Sequence, residues 1–381
     1  MRNEITGAGR APATWEQKDN EKKRAVIAMS GGVDSSVAAL LMQRDGYDCT
    51  GVTMRLFREA ANASACGKSC CSDDDEADAA FVCHQLGIGH EAVCLSKVFE
   101  QNVIRKFIRE YEAGRTPNPC VDCNRSLKFE ALMDWAREEG FSVLATGHYA
   151  RVRYDRAAER WQLLKAAAAK KDQSYVLYML TQEQLAHLRL PLGELRKADA
   201  RALAQAQGLV TAQKRDSQDI CFIPDGDYAD FIERWTGRRG LPGEIVDPVG
   251  RPVGRHRGLI RYTIGQRRGL GVPAGEAVYV IAKDPERNTL TVGPGSALYH
   301  RKLLAEDFNW LSVPELGGPI RVTARTRYHQ PETSAIVSPL PGARVLVTFE
   351  EAQRAITPGQ AVVLYQGELV VGGGTIRESF D

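Results

Sequence analysis

The chain has 381 residues, more than one hydrophobic core ordinarily holds, so two or three domains are expected. Its 43% hydrophobic and 26% charged residues describe a soluble globular protein, and no run of about 18 apolar residues is present to cross a membrane. The net charge of +2 names no partner, but from Thr236 to Leu270 eight arginines stand against two acids, Glu244 and Asp247. Such a stripe is either a solvated face or a nucleic-acid surface.

Residues 1–23 have no apolar signal region and carry acids, so they read as a disordered extension rather than a leader. Nine cysteines, an odd number without an export signal, point to reduced thiols in the cytoplasm. From 24 to 215 strand and helix signals alternate. Strands are expected over Ala25–Met29, Thr50–Leu56, His90–Leu95 and Phe141–Thr146, separated by helices. Ser72 and the acids Asp73–Glu76 resemble an N-cap and first turn opening a helix to Gly87. Phe99, Val103, Ile104, Phe107, Ile108 and Tyr111 keep the helical period up to Gly114. This alternation predicts a doubly wound parallel sheet. A small central linking domain, 216–277, rich in Gly, Pro and Arg, is expected next. Short alternating strands from 278 to 381, such as Val278–Ala282, Thr289–Val292, Arg321–Thr326, Arg344–Phe349 and Ala361–Tyr365, predict a C-terminal β-barrel.

Ser30-Gly-Gly-Val-Asp-Ser35 lies between the first strand and its helix. Two glycines let backbone N–H groups approach an anion, the helix N-terminus adds partial positive charge, and Asp34 offers a carboxylate for Mg²⁺ beside a pyrophosphate. No Gly-Lys-Ser/Thr follows, so the loop is not a Walker A. It resembles the PP-loop of ATP pyrophosphatases, adenine nucleotide alpha hydrolase-like enzymes that adenylate a substrate. Further motifs follow in order: CCSDDDEADA, RTPNPCVDCNRSLKF, ATGHYARV, KKDQSYVLYML, DSQDICFIPDGDYADFI and RYTIGQRRGLGV. Together with AMSGGVDSSVAALL they resemble the tRNA-specific 2-thiouridylases from about residue 24 to the C-terminus.

The resemblance implies an ATP-dependent sulfurtransferase that adenylates the C2 oxygen of wobble uridine U34, in tRNAs with Lys, Glu and Gln type anticodons, and replaces it with sulfur. The sulfur would come as a persulfide from a cysteine desulfurase or a sulfur relay protein. The catalytic pair maps to Cys123 and Cys221. The ATP site maps to Ala28, Met29, Ser30, Gly31, Gly32, Val33, Asp34, Ser35, Met54 and Gly147. Asn118, Pro119 and Cys120 map to the target-base loop, and tRNA contacts map to His148, Lys171, Asp172, Gln173, Arg327, Tyr328 and Gln360. The arginines at 251–268 then read as phosphate binding. Some family members carry aspartate where this chain has Cys120, so no base is assigned there. Cys120, Cys123 and Cys221 either divide into a thiol pair and a pocket residue or ligate a [4Fe–4S] cluster, and the sequence does not choose. Cys66, Cys70 and Cys71 read as incidental thiols. Two other functions are compatible with the loop alone: a ligase adenylating a small metabolite, and a non-catalytic RNA-binding protein that holds a metal.

Overall fold

The computed structural model describes residues 23–56, 73–215, 220–223, 226–273 and 276–381. The extension through residue 22, Cys66, Cys70, Cys71 and the cap Ser72 lie outside the described residues. The chain divides into two compact units. One comprises 1–103, 120–224 and 368–370; the other comprises 104–119, 225–367 and 371–381.

The first unit is built on a parallel sheet. Its strands are β1 (Arg24–Ala28), β2 (Asp48–Arg55), β3 (Gly89–Cys94), β4 (Val143–Ala145) and β7 (Leu188–Arg189), in the order β3-β2-β1-β4-β7. Ala25, Val26 and Ile27 are fully buried, as a central strand covered on both faces requires. Helix Val33–Arg44 buries Val37, Ala38, Ala39 and Leu40. The order reverses between β2 and β4 around β1, so the loop leaving β1 lies at the switch point where such sheets bind ligands. A hairpin, β5 (Ala150–Asp155) and β6 (Arg160–Lys165), follows β4, and Leu369 pairs with Leu164.

The second unit contains two sheets. One has the order β10-β11-β8-β9, from β8 (Gly243–Val246), β9 (Pro252–His256), β10 (Val278–Asp284) and β11 (Thr289–Pro294). Its core is Ile245, Leu259, Tyr262, Leu270, Val280, Leu290 and Val292. Strands β12 (Tyr299–Trp310), β13 (Ile320–Arg325), β14 (Thr333–Leu340), β15 (Arg344–Arg354), β16 (Ala361–Gln366) and β17 (Leu369–Phe380) form the other. Their order, β12-β15-β14-β13-β16-β17, closes through β12–β17 pairing into a six-stranded barrel. The barrel therefore starts at Tyr299 and not at 278. The strands at 278 and 289 belong to the middle sheet, because β11 runs beside β8. Their alternation is the same in either sheet, so the pattern alone did not assign them.

The expected helix around 99–111 is present but not uniform: a π-helical segment, Glu100–Ile104, separates Ser96–Phe99 from Arg105–Glu112. A second π segment, Asn124–Ala131, follows the short helix Pro119–Cys123. Among the described residues no helix is long and apolar enough to cross a membrane.

Candidate functional site

The loop after β1 is held from three sides. Ser35 Oγ accepts from Ser30 N at 3.2 Å, and its hydroxyl donates to Gly32 O at 3.0 Å. Ser36 donates to the same carbonyl at 2.9 Å and accepts from Thr211 Oγ1 at 2.8 Å. Gly31 has φ +67°, and a Cβ there would stand 2.3 Å from the carbonyl oxygen of Asp75. Only glycine satisfies both the left-handed conformation and the contact. On the opposite side a Cβ on Gly147 would stand 2.8 Å from the Asp34 carbonyl carbon and 2.9 Å from Ser35 N. Gly147 thus brings the end of β4 against the loop backbone.

The carboxylate of Asp34 is not alone. Lys197 Nζ lies 2.8 Å from both its oxygens, and Tyr149 Oη donates to Oδ1 at 2.8 Å. Lys197 opens the helix Lys197–Ala206, about fifty residues after β4, and no local motif around it marks a site. Sequence reasoning missed it; the pairing of Asp34 with a distant cation became visible only in the fold. Lys214 similarly joins Asp75 and Asp78, at 2.6 Å each, and so steadies the helix that crowds Gly31.

The three thiols expected from the motifs converge in the same unit. Cys221 acts electrostatically on Cys120 and on Cys123, and Cys120 acts on Cys123, with Lys128 as the neighbouring cation. Lys128 stands five residues after Cys123, within the π-helical segment that Cys123 leads into. Asn124 is buried and donates to Val176 O at 3.0 Å, anchoring this segment. Cys120 is exposed as a residue, whereas Cys123 and Cys221 are half-buried. Burial pushes the Cys123 thiol up to about 12, with Lys128 opposing and Cys221 adding to the rise. Protein crowds the Cys120 sulfur closely enough that desolvation raises it too. Both are therefore protonated near neutrality in this state. Among the described residues no three His, Cys, Asp or Glu side chains are grouped to hold a metal ion.

Lys128 also links the thiols to the nucleotide loop. It depresses the pKa of buried His148, second to desolvation, and the ring of Phe129 lies 5.9 Å from that of His148. His148 follows Gly147, which packs on Asp34 and Ser35. A continuous path of residues therefore runs from the loop to Cys123.

The residues mapped to RNA contacts differ in exposure and in their partners within the protein. His148 is 8% exposed, neutral and hydrogen-bonded to Thr146 Oγ1 at 2.8 Å. Asp172 is buried and accepts from Ala166 N, Ser174 N and Ser174 Oγ, organising a turn. Gln173 Oε1 accepts from Tyr149 N at 2.9 Å; Lys171 is half-buried beside them. Met54 sits near the end of β2, opposite Val93. In the second unit Arg327 donates to Ala355 O and Thr357 Oγ1. Tyr328 packs edge-on against His329. Gln360 donates to Thr116 O at 2.8 Å and Pro117 O at 3.2 Å, just before Asn118 and Pro119. The arginine stripe also divides. Arg251 pairs with Asp247, and Arg261 pairs with Asp230 and Glu233. Arg255, Arg257, Arg267 and Arg268 are exposed.

Three family models match in succession: a tRNA methyl transferase HUP domain over 23–225, a tRNA methyl transferase PRC-barrel domain over 229–294, and an aminomethyltransferase beta-barrel domain over 300–376. A tRNA-specific 2-thiouridylase MnmA of Moorella thermoacetica is 50% identical over 92% of this chain and 99% of its own length. Those of Heliobacterium modesticaldum, at 48% over 94% of each chain, and Acetivibrio thermocellus, at 44% over 93% and 99%, are similar. A solved 4-thiouridine synthetase–RNA complex with bound ATP is far more distant, at 17% identity and a TM-score of 0.33 over 56% of this chain and 50% of that one. With the relatives aligned along nearly their whole length, this chain belongs to the tRNA-specific 2-thiouridylase family.

Proposed function

We propose that the protein adenylates the C2 oxygen of the wobble uridine of tRNA and replaces it with sulfur from a protein persulfide, giving 2-thiouridine, AMP and pyrophosphate. The observation that carries this reading is the single path from the Asp34 loop through Gly147, His148 and Lys128 to three cysteines. A ligase for small metabolites has no use for the second thiol, and a passive RNA-binding protein has none for the nucleotide loop.

The loop backbone between Ser30 and Ser35 binds phosphate oxygens of ATP, using the helix N-terminus and the small residues at Gly31 and Gly32. Lys197 pairs with both oxygens of Asp34 and places a cation beside the loop that receives phosphate. Asp34 fits a magnesium ion: it is an oxygen ligand beside the phosphate loop, as this ion prefers. Magnesium bound there supplies charge neutralisation for the leaving pyrophosphate. The uridine O2 attacks the α-phosphorus, and the O–P bond to pyrophosphate breaks.

Sulfur transfer then needs two thiols. The terminal sulfur of a Cys221 persulfide bonds to C2, and AMP leaves with the former O2. The thiolate of Cys123 attacks the Cys221 sulfur, the S–S bond of the persulfide breaks, and its electron pair stays with the sulfur on the base. A Cys123–Cys221 disulfide remains, and an external thiol reductant, itself oxidised, reduces it to the two free thiols. Lys128 opposes in part the burial that keeps Cys123 protonated, and so favours the thiolate that this step needs. The reading rests on the thiol pair and takes no support from a [4Fe–4S] cluster, since no group of three metal ligands is found among the described residues. No step is routed through one.

The reaction is tested by incubating tRNA with the protein, ATP, Mg²⁺ and a persulfide donor, then digesting to nucleosides for mass spectrometry. 2-Thiouridine and stoichiometric AMP are expected, with Lys, Glu and Gln tRNAs as the substrates. Asp34→Ala should abolish AMP formation while tRNA still binds, because RNA affinity rests on cationic side chains elsewhere. Equal loss of binding and turnover would contradict the assignment of Asp34 to the nucleotide.

A further inference from the structure

The segment that leads to Cys120 is gripped by the turn between β15 and β16. Thr116 N donates to Pro358 O at 2.9 Å. The side-chain amide of Gln360 donates to Thr116 O at 2.8 Å and to Pro117 O at 3.2 Å. Between these two contacts lies Gly359, at φ +90°, where a Cβ would stand 2.9 Å from Thr116 N and 3.0 Å from Thr116 O. The grip is itself fixed to the barrel: Gly359 N donates to Ile376 O, and Ile376 N donates to Gln360 O, at 2.8 Å each.

Three features make this more than a chance loop contact. A proline at 117 has no N–H, so the chain there cannot tie itself down by its own amide, and the carbonyls of Thr116 and Pro117 need outside donors. One primary amide supplies both N–H groups, in a geometry that fixes the direction as well as the position of the backbone. Finally, the held residues lie three to four positions before Cys120 and six to seven before Cys123, with prolines at 117 and 119 stiffening the stretch between. Resting on the sulfur-transfer reading above, the geometry points to Gln360 as a positioning residue: the barrel turn Pro358–Gln360 holds Thr116 and Pro117 so that the loop after them presents its thiols for transfer. Gln360 then works by holding the protein's own backbone, and its contribution is to turnover and not to RNA affinity.

Two neutral hydrogen bonds removed together favour the released loop by roughly thirtyfold. In Gln360→Ala, trypsin cleavage after Arg115 and hydrogen exchange of the Thr116 amide should each accelerate by at least about tenfold in otherwise intact protein. Thiolation kcat should fall by about tenfold or more while KM for tRNA stays within about twofold. Gly359→Ala, which keeps the amide but inserts a Cβ into the contact, should reproduce both effects. Gln360→Glu places a carboxylate against two carbonyl oxygens, so it should fail at neutral pH and regain turnover relative to wild type as the pH falls and the acid proton becomes a donor. That acid rescue also separates the proposal from simple misfolding. Weakened tRNA binding with unchanged cleavage would overturn it in favour of direct RNA contact. Faster cleavage with unchanged kcat would overturn it by leaving only a structural tie. If wild type makes no 2-thiouridine, the sulfur-transfer reading fails instead, while the cleavage and exchange results still report on the grip.

Discussion

Lys128 is the residue on which the thiol chemistry turns. Desolvation raises Cys123 to about 12 and raises Cys120 as well, and the Lys128 cation opposes the rise at both. Replacing it by methionine keeps the stem and removes the charge, so both thiol pKa values rise further. The thiolate fraction at a given pH then falls, by about tenfold for each unit the pKa climbs. The rising limb of the thiolation pH–rate profile should move to higher pH in Lys128→Met, and Lys128→Arg should largely restore it. A profile that does not move would remove Lys128 from the reaction. Residue identity made Cys123 and Cys221 legible in the sequence, because Cys-x-x-Cys and Ile-Cys-Phe stand in recognisable motifs. The environment that sets their reactivity was not legible. It depends on burial, on a π turn and on a cysteine about a hundred residues away.

At the scale of elements, the strand–loop–helix at 24–44 could be read because all of its determinants are local: an apolar run, two glycines and an alanine- and leucine-rich helix. Strand β12 was missed for an equally local reason. Its pairing register shifts between His300 and Lys302, again between Leu304 and Ala305, and again between Glu306 and Asn309. Each shift resets the two-residue alternation on which strand recognition depends. Strand β7, only two residues long, leaves no pattern at all. Close packing of elements was likewise invisible, although it carries the nucleotide site. At Gly147 the end of β4 meets the loop so tightly that even a methyl group would press on the backbone of Asp34 and Ser35. Overpacking of this kind costs about 1–3 kcal/mol. Gly147→Ala should therefore raise the ATP concentration needed for half-maximal AMP formation by about tenfold, leaving tRNA affinity unchanged. Normal ATP dependence in this variant would mean that β4 does not shape the nucleotide loop.

The whole molecule must hold a polyanion while carrying a net charge of only +2, so attraction has to come from where its cations are placed. Of the eight arginines between Thr236 and Leu270, three are engaged: Arg238 with Glu112, Arg251 with Asp247, and Arg261 with Asp230 and Glu233. An arginine already paired with a carboxylate gains less from a phosphate, because it must give up its partner first. Arg239 is exposed next to Arg238; the other four, Arg255, Arg257, Arg267 and Arg268, are exposed and stand in the glycine-rich middle of the second unit. They are the ones expected to displace counterions from RNA. Changing all four to alanine should weaken tRNA binding and flatten the dependence of log affinity on log salt by about 0.7–0.9 for each phosphate no longer neutralised. Arg251→Ala alone should leave the slope nearly as it is. The measurement is a salt titration of tRNA binding for wild type and both variants, with AMP formation at saturating tRNA as a control for the nucleotide site. A slope unchanged by the fourfold variant would return the stripe to an ordinary solvated face, and RNA binding would then have to rest on cations outside it.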